Sequence, residues 1–197
     1  MENVARSFFE RSPDEVAHDL VGVHMVVRDG EALTTVRIVE TEAYGGEDDP
    51  ASHASRGRTA RNAAMFGPAG HLYVYRIYGV HWCMNVVTKG SDVPGAVLLR
   101  GAEVVTTLGA TAVLEPGRAL KGPGNLTKAL DVTGEDDGRD CCALAPRIAF
   151  HSPPPVEDRV TRRSPRIGIT KATERLSRYY LEGSAGVSRA PRGFSTP

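Results

Sequence analysis

Glu40 and Glu42 lie two positions apart in the apolar stretch VRIVETEAY, residues 36–44. Branched and aromatic residues dominate this stretch, which predicts a β-strand. Side chains two residues apart in a strand project to the same face, so both carboxylates are expected to share one face with Ile38 and Tyr44. A carboxylate on an apolar face must be paired, hydrogen-bonded or shifted in pKa. Carboxylates with a shifted pKa serve enzymes as general acids and bases.

A structural role explains the same two carboxylates. Each of them can lie on an exposed strand edge, or form an ion pair with Arg37, Arg76 or Arg100. Arg100 ends the apolar run GAVLLR, and an arginine in that position needs a carboxylate or a phosphate as its partner. Structural ion pairs also perturb carboxylates, so the periodicity alone does not choose between the two glutamates as the reactive group.

Three of the six tyrosines fall within HLYVYRIYGVHWCMN, residues 71–85. Two β-prone runs flank a central glycine, which predicts a hairpin with its tip near Tyr78. Tyr73 and Tyr75 then share one face of the first strand, whereas Tyr78 has little to pack against at the turn. An ordinary half-buried hairpin with core tyrosines explains part of this pattern. An aromatic at a loop tip, beside the cation of Arg76, also suits a wedge that enters nucleic acid.

The segment 45–71 is rich in Gly, Ala, Ser and Arg, which predicts an ordered loop with a short helix around residues 60–65. His53 lies in this loop, where a single histidine is usually a surface residue. The arginines that follow it suit contacts with phosphates, namely Arg56, Arg58 and Arg61.

The formal net charge is zero, which by itself argues against a nucleic-acid binder. The distribution is uneven: residues 1–49 hold twelve Asp and Glu against four Lys and Arg, residues 50–130 hold three against nine, and residues 161–197 hold two against eight. A neutral total therefore hides basic regions next to an acidic one. Charged side chains scattered over a solvated surface explain the same counts.

The chain has 197 residues, of which 41% are hydrophobic, a size and composition typical of one globular domain. No apolar run is long enough to span a membrane, and residues 1–15 lack the basic and apolar regions of a signal peptide. The cysteines, Cys83, Cys141 and Cys142, form neither a disulfide framework nor a C-x-x-C metal pattern. We infer a reduced, cytoplasmic compartment and expect neither a metal nor a cofactor.

Local signals also place the elements around these residues. Ser12 and Glu15 form a capping box around a proline, which predicts a helix that ends near Gly22. A hairpin follows, with its turn at residues 29–30 and a long second strand at 32–44. The other elements expected are a strand at 95–100, a helix at 102–114, a short helix at 125–130, strands at 146–150, 166–169 and 178–181, and a disordered tail at 189–197.

Five longer motifs resemble a single family. VETEAYGGEDDPASHAS, ARNAAMFGPAGHLYVYRIYGVHWCMNVV, AVLLRGAE, GPGNLTKAL and PRIGITKA occur in the order and with the spacing of the alkyladenine DNA glycosylases, also called 3-methyladenine or methylpurine DNA glycosylases. The resemblance runs from about Ala5 to Ser188. It implies one mixed α/β (α+β) domain, residues 1–188, built on a curved antiparallel sheet with surrounding helices and a protruding hairpin that enters the DNA minor groove.

The resemblance also implies a role for each candidate residue. Glu42 matches the residue that activates a water for attack at C1′ of the sugar, and Arg100 matches the residue that helps to hold that water and carboxylate. Tyr78 matches the residue that fills the space left by the flipped nucleotide. The pocket side chains that sandwich the flipped base correspond to Tyr44, His53 and Tyr75.

Other matches concern specificity and DNA contact. Asn85 matches the residue that clashes with the 2-amino group of guanine and thereby excludes a normal base. Met65 and Leu98 match positions at the DNA-contacting rim. Electron-rich rings suit a methylated purine, because alkylation at N3 or N7 makes the base cationic. The side chains expected to contact the DNA backbone are Arg56, Arg58, Arg61, Arg76, Lys128 and Lys171.

These roles imply a monofunctional, monomeric base-excision-repair enzyme that acts on double-stranded DNA containing damaged purines such as 3-methyladenine and 7-methylguanine. Hypoxanthine and ethenoadenine are neutral and would need a general acid at the purine, which the sequence does not reveal. One alternative is a nucleic-acid-binding module of the same fold without catalysis, in which Glu42 would have no role. The other alternative is a hydrolase of small nucleosides, in which Tyr78 would have no role.

Overall fold

One curled antiparallel sheet carries most of the chain. The computed structural model describes residues 2–109, 113–152 and 160–189. Its helices and strands, in chain order, are α1 (Arg6–Phe9), α2 (Pro13–Leu20), β1 (His24–Asp29), β2 (Ala32–Tyr44), β3 (Leu72–Ile77), β4 (His81–Val87), β5 (Ala96–Leu108), β6 (Ala119–Lys121), α3 (Pro123–Ala129), β7 (Ile148–His151), β8 (Thr161–Ser164) and β9 (Arg178–Leu181), with 3₁₀ turns at Ala63–Phe66 and Gly134–Asp136.

Within the described residues the strands join into a nine-stranded sheet with the order β3-β4-β5-β2-β1-β7. Strand β6 pairs with β5, β9 pairs with β2, and β8 pairs with β9. Every pairing is antiparallel. The curled sheet with helices around it forms one domain, and the expected mixed α/β fold is confirmed.

Helix α2 begins where the capping signal predicts it. The Ser12 hydroxyl accepts from the backbone N–H of Glu15, and the Glu15 carboxylate accepts from the backbone N–H of Ser12, so both halves of the capping box are present. Val16 and Leu20 are fully buried. The helix ends at Leu20, and Gly22 adopts a φ of 95°, a left-handed conformation that glycine tolerates.

The central strand β2 is irregular where the two glutamates lie. It pairs with β5 along its length, but the register shifts between Ile38 and Glu40 and again between Glu40 and Thr41, which marks β-bulges. Ile38 packs in the main hydrophobic core together with Ala43. The expectation that Ile38 shares the face of Glu40 and Glu42 is therefore wrong, because strict alternation holds only in a strand without a bulge.

Strands β3 and β4 form the predicted hairpin at one edge of the sheet. Ile77 pairs with His81, which leaves Tyr78, Gly79 and Val80 at the tip. Tyr78 has a φ of 52°, which is unusual for a residue with a Cβ atom, and it is 86% exposed. The hairpin therefore protrudes with an aromatic side chain at its tip, as the sequence predicts.

Several element predictions are wrong. Residues 102–114, predicted as a helix, continue strand β5 as far as Leu108, because the β-branched run VVTT favours a strand and pairs with β2. Residues 166–169, predicted as a strand, form a loop. The sequence reasoning missed α1, β6 and β8. Of the tail predicted to be disordered, residues 190–197 lie outside the described residues.

Two hydrophobic clusters fill the interior. The main cluster joins the helices to the sheet and includes Phe9, Leu20 and Leu99. A smaller cluster is formed by Ala54, Met65, Tyr73, Val87 and Ala96, and Tyr44 and Tyr75 pack against it. This second cluster fixes the rings of Tyr44, Tyr73 and Tyr75. None of the helices in the described part of the chain has the length and apolar character needed to cross a bilayer.

Candidate active site

One side of the sheet carries a cavity of about 410 Å³. Strands β2 to β5 supply its floor, and the loops 45–62 and 165–177 supply much of its wall. The predicted site residues that line it are Tyr44, His53, Arg56, Met65, Tyr75, Asn85, Leu98, Arg100 and Lys171. Neither here nor in the rest of the described residues is a group of three His, Cys, Asp or Glu side chains arranged to hold a metal ion.

Glu42 lies directly behind residues that line the cavity and has no exposed surface. Its Oε1 accepts a hydrogen bond from the N–H of Ile167 at 2.7 Å, and its Oε2 accepts from the Tyr44 hydroxyl at 2.9 Å and from Arg100 Nη1 at 3.2 Å. Burial raises the pKa of Glu42, and the charge of Arg100 together with the other hydrogen bonds offsets this only in part. A carboxylate whose pKa moves towards neutrality suits general-base catalysis.

Glu40 is equally buried but has different partners. Its Oε1 accepts from Arg178 Nε at 2.6 Å and from Arg100 Nε at 3.3 Å, and its Oε2 accepts from the N–H of Ser188 at 2.8 Å. Neither Glu40 nor Arg178 lines the cavity. The two carboxylates thus have unequal surroundings, since Glu42 is bonded to cavity-lining residues and Glu40 is bonded mainly to the C-terminal part of the chain.

His53 and Tyr75 form one wall of the cavity. Their ring centroids are 4.6 Å apart with an interplanar angle of 69°, and His53 Nδ1 lies 2.8 Å from the Tyr73 hydroxyl. Partial burial and the nearby charge of Arg61 lower the pKa of His53, so its ring is neutral at neutral pH. A flat ring between two others needs about 7 Å, twice the contact distance. The space between His53 and Tyr75 is therefore closed, whereas Tyr44 also lines the cavity.

Asn85 of β4 pairs with Leu98 of β5, and both residues line the cavity. Asn85 is 3% exposed, and its Nδ2 donates a hydrogen bond of 2.9 Å to the backbone carbonyl of Tyr73. This hydrogen bond holds the amide in one position. Asn85 consequently presents a rigid polar edge to an occupant of the cavity.

Comparison with known proteins identifies the family. The family model described as Methylpurine-DNA glycosylase (MPG) matches residues 7–185. This chain belongs to the methylpurine-DNA glycosylase family. The family consists of DNA glycosylases, so the chain is an enzyme of the class that hydrolyses the N-glycosidic bond of a nucleotide in DNA.

Individual relatives agree with this assignment. A protein of Anaeromyxobacter sp. (strain Fw109-5) is 49% identical over 194 residues, which cover 95% of this chain and 93% of the relative. A protein of Agrobacterium fabrum is 46% identical over 191 residues, with 94% and 92% covered. A protein of Methanoculleus marisnigri is 44% identical over 188 residues, with 93% and 97% covered. Each of the three bears the name "Putative 3-methyladenine DNA glycosylase".

In this member of the methylpurine-DNA glycosylase family, part of the expected basic set lies at the cavity. Arg56 and Lys171 line it from different loops. The Arg61 guanidinium carbon lies 5.9 Å from the Tyr75 ring centroid, and its Nη2 donates to the backbone carbonyl of Arg76 at 3.3 Å. Arg56 and Lys171 are thus part of the cavity lining, and Arg61 joins the loop 45–62 to the hairpin without lining the cavity.

The other cations of the expected set lie outside the cavity. Arg58 forms an exposed ion pair with Asp92 at 3.3 Å. The Arg76 guanidinium lies over the Trp82 ring, 5.6 Å from its centroid. Lys128 lies in a separate groove beside α3, together with two other cations. Contact of these residues with DNA stays a prediction.

Three contacts around the cavity were not anticipated from the sequence. Arg178 and the backbone N–H of Ile167 each donate to one of the two buried carboxylates. The Arg166 guanidinium carbon lies 4.6 Å from the Tyr44 ring centroid. The sequence signal for the contacts of Arg166 and Arg178 is an arginine among apolar residues, in PRIGI and in SRYYL. A buried cation needs an anionic partner.

Proposed function

We propose that the chain removes damaged purines from double-stranded DNA: the nucleotide is flipped into the cavity, and a water activated by Glu42 hydrolyses its N-glycosidic bond. One observation carries most of the proposal. A buried carboxylate with a raised pKa lies directly behind a cavity walled by aromatic side chains. A protein that only binds nucleic acid has no use for this arrangement, because a carboxylate repels phosphates.

Aromatic walls supply the preference for alkylated bases. Alkylation at N3 or N7 gives the purine a positive charge, which the faces of Tyr44 and Tyr75 attract. His53, neutral at neutral pH, does not repel that charge. The proposed substrates are therefore 3-methyladenine and 7-methylguanine, whereas the neutral bases hypoxanthine and ethenoadenine would be held by stacking without this attraction.

Asn85 supplies the exclusion of normal guanine. Its amide is held by the Tyr73 carbonyl and does not swing away from an occupant. A 2-amino group beside it either clashes or loses its hydrogen-bond partner, which weakens binding. For 7-methylguanine, which carries the same amino group, the attraction between the cationic base and the aromatic walls offsets this loss.

The chemistry follows from charge. Departure of the base leaves an oxocarbenium-like sugar, which ionised Glu42 stabilises while it accepts a proton from the attacking water. Arg100 Nη1, 3.2 Å from Oε2, holds the carboxylate in position. A cationic base leaves readily and needs no acid at the purine. The products are the free base and an intact abasic site.

The hairpin and the basic side chains hold the DNA. Tyr78 would stack in the gap left by the flipped nucleotide and offset the unstacking, which costs a few kcal/mol. Arg56 and Lys171 are placed at the cavity for the phosphates beside that nucleotide. We expect one copy of the chain to be sufficient. Further backbone contacts are proposed for Arg58, Arg61, Arg76 and Lys128.

Release of free 3-methyladenine from methylated duplex DNA tests the proposal. Purified protein is incubated with the duplex and the released bases are separated by chromatography, with the Glu42→Gln protein as the control for contaminating activity. Release by the wild type and not by the variant is expected. Tight binding of the duplex without release would identify a binding module instead. Release from free nucleosides but not from duplex would identify a nucleoside hydrolase.

A further inference from the structure

Behind Tyr44 lies a buried ion pair that the proposed mechanism does not use. The side chains of Arg166 and Asp49 are 1% and 3% exposed, and two hydrogen bonds of 2.5 and 2.8 Å join them. Neither residue lines the cavity, whereas Tyr44 does. The Arg166 guanidinium carbon lies 4.6 Å from the centre of the Tyr44 ring. Arg166 therefore covers the ring face that is turned away from the cavity, and a bound base meets the other face.

The same pair holds the backbone around the site. Arg166 Nη1 donates to the Ala43 carbonyl at 2.9 Å, next to the tyrosine on which it stacks. Asp49 accepts from the N–H groups of Gly45 at 3.0 Å and Ala51 at 3.2 Å, in the loop that leads to the histidine wall. The residue that follows Arg166 donates its N–H to the catalytic carboxylate at 2.7 Å. One ion pair thus ties both loops of the cavity to strand β2.

The ion pair of Arg166 and Asp49 also sets the net charge behind the Tyr44 ring. A cation on one face of an aromatic ring repels a second cation on the other face. At an effective dielectric of about 20, two unit charges about 8 Å apart change an equilibrium roughly tenfold or more. Asp49 cancels the charge of Arg166 through its bidentate hydrogen bonds. Although burial raises the pKa of Asp49, the hydrogen bonds from Arg166 and Gly45 bring it below its usual value, so the carboxylate is ionised at neutral pH.

We propose that Asp49 and Arg166 set the preference of this site for cationic over neutral damaged purines, because Arg166 orients Tyr44 and Asp49 removes the positive charge behind the ring. The inference rests on the proposed excision of flipped purines. Both are positioning residues, since they act through Tyr44 and do not touch the base.

Three variants separate this electrostatic effect from a structural one. Asp49→Asn leaves the cation of Arg166 uncompensated, Arg166→Gln leaves the anion of Asp49 uncompensated, and the double variant removes both charges. Single-turnover excision is measured on two duplexes that differ only in the damaged base, cationic 7-methylguanine or neutral hypoxanthine. The readout is the ratio of the two rates, because a loss of folded protein or of general loop order lowers both rates together.

The ratio of cationic to neutral excision is expected to fall about tenfold in Asp49→Asn, to rise in Arg166→Gln, and to return to within about threefold of the wild type in the double variant. The matched control is Asp136→Asn, because Asp136 is another buried aspartate bonded to two arginines, and it does not line the cavity. Its ratio should equal that of the wild type. Melting temperatures establish which variants are folded.

A ratio that stays within about twofold of the wild type in both single variants would overturn the inference. If Asp49→Asn does not fold, Arg166→Gln alone tests the inference, because its ratio of cationic to neutral excision must rise. If hypoxanthine leaves too slowly to measure, the dissociation constants of the two duplexes give the same ratio, with Glu42→Gln added to every protein so that no base is lost. Failure of the proposed function is distinct, because the wild type would then release neither base.

Discussion

The hydroxyl of Tyr44 donates a hydrogen bond of 2.9 Å to Oε2 of Glu42. A single side chain therefore contributes its ring to the cavity wall and its hydroxyl to the buried carboxylate. Burial raises the pKa of Tyr44, so the phenol stays protonated and remains a donor. If the proposed base displaced this ring, it would also displace a partner of Glu42, and occupancy of the cavity would be coupled to the carboxylate.

Tyr44→Phe tests that coupling, because it keeps the ring and removes the hydroxyl. The hydrogen bond lowers the pKa of Glu42, so its loss should raise that pKa further. In the proposed mechanism Glu42 acts in its ionised form, and the acid limb of the pH–rate profile should therefore move to higher pH, with little change well above that limb. Single-turnover excision of 7-methylguanine across the acid and neutral range measures the shift.

Tyr73→Phe is the matched control for this prediction. The Tyr73 hydroxyl is bonded to His53 and not to Glu42, so its removal should leave the acid limb in place. An acid limb that does not move in Tyr44→Phe would show that the hydrogen bond has no influence on the group that sets this limb.

Glu42→Gln should lower the rate of excision by about 10²- to 10⁴-fold, the usual contribution of a general base. Binding of damaged duplex should persist or tighten, because an anion near the phosphates is removed. Glu40→Gln is the comparison: it weakens the buried pair with Arg178, and breaking such a pair costs about 3–5 kcal/mol of stability. Excision rates and melting temperatures of both variants are measured together. Near-normal excision by Glu42→Gln would show that Glu42 is not the general base.

The parts of the site with local signals were predictable from the sequence. Glycine between two β-prone runs places Tyr78 at a hairpin tip, and the Ser12 capping box locates the start of α2. Alternation along the sequence predicts that Glu40 and Glu42 share one face, but it does not distinguish them. Their different surroundings depend on long-range partners, and the choice of Glu42 as the reactive group came from the family resemblance.

Contacts between distant segments were not predictable. The hydrogen bonds that join Arg178 to Glu40 and Arg166 to Asp49 span 138 and 117 residues of the chain, so no local pattern encodes them. The bulges beside Ile38 have the same origin, because pairing with β5 sets the register of β2. The extension of β5 had a local signal that the helix prediction ignored, since the β-branched run VVTT favours a strand.

Tyr78→Ala should slow excision from duplex DNA, because the stacking free energy of one aromatic side chain, about 1–3 kcal/mol, is lost. Excision from an isolated damaged nucleoside should be unchanged, because the exposed tip is not part of the cavity lining. Tyr78→Phe keeps the ring and should retain most of the wild-type rate. Single-turnover rates on both substrates test this, and equal losses on duplex and nucleoside would place Tyr78 in base recognition instead of intercalation.

Asn85→Ser should raise the release of normal guanine relative to 3-methyladenine. The shorter side chain vacates the space beside a 2-amino group and leaves a hydroxyl that can accept from it. The hydrogen bond to the Tyr73 carbonyl is lost at the same time, so a modest fall in melting temperature is expected. Released bases are quantified from undamaged and methylated duplexes. An unchanged ratio would exclude Asn85 from the discrimination against guanine.

The last prediction concerns the attacking group. A glycosylase that also cuts the strand uses a desolvated amine to form a Schiff base at C1′. The lysines of this chain are Lys89, Lys121, Lys128 and Lys171. Lys171 lines the cavity, but it is exposed on the loop that follows Ile169, whereas Lys121 and Lys128 lie in the separate groove beside α3.

We therefore expect water, and not an amine, to attack C1′. Borohydride should trap no covalent protein–DNA adduct, and excision should survive an excess of chelator. Lys171→Ala should weaken DNA binding through the loss of a phosphate contact, but its excision rate at saturating protein should stay close to that of the wild type. The control Lys121→Ala should also keep an excision rate close to that of the wild type. A robust trapped adduct that disappears in Lys171→Ala would replace the water activated by Glu42 with the Lys171 amine as the nucleophile.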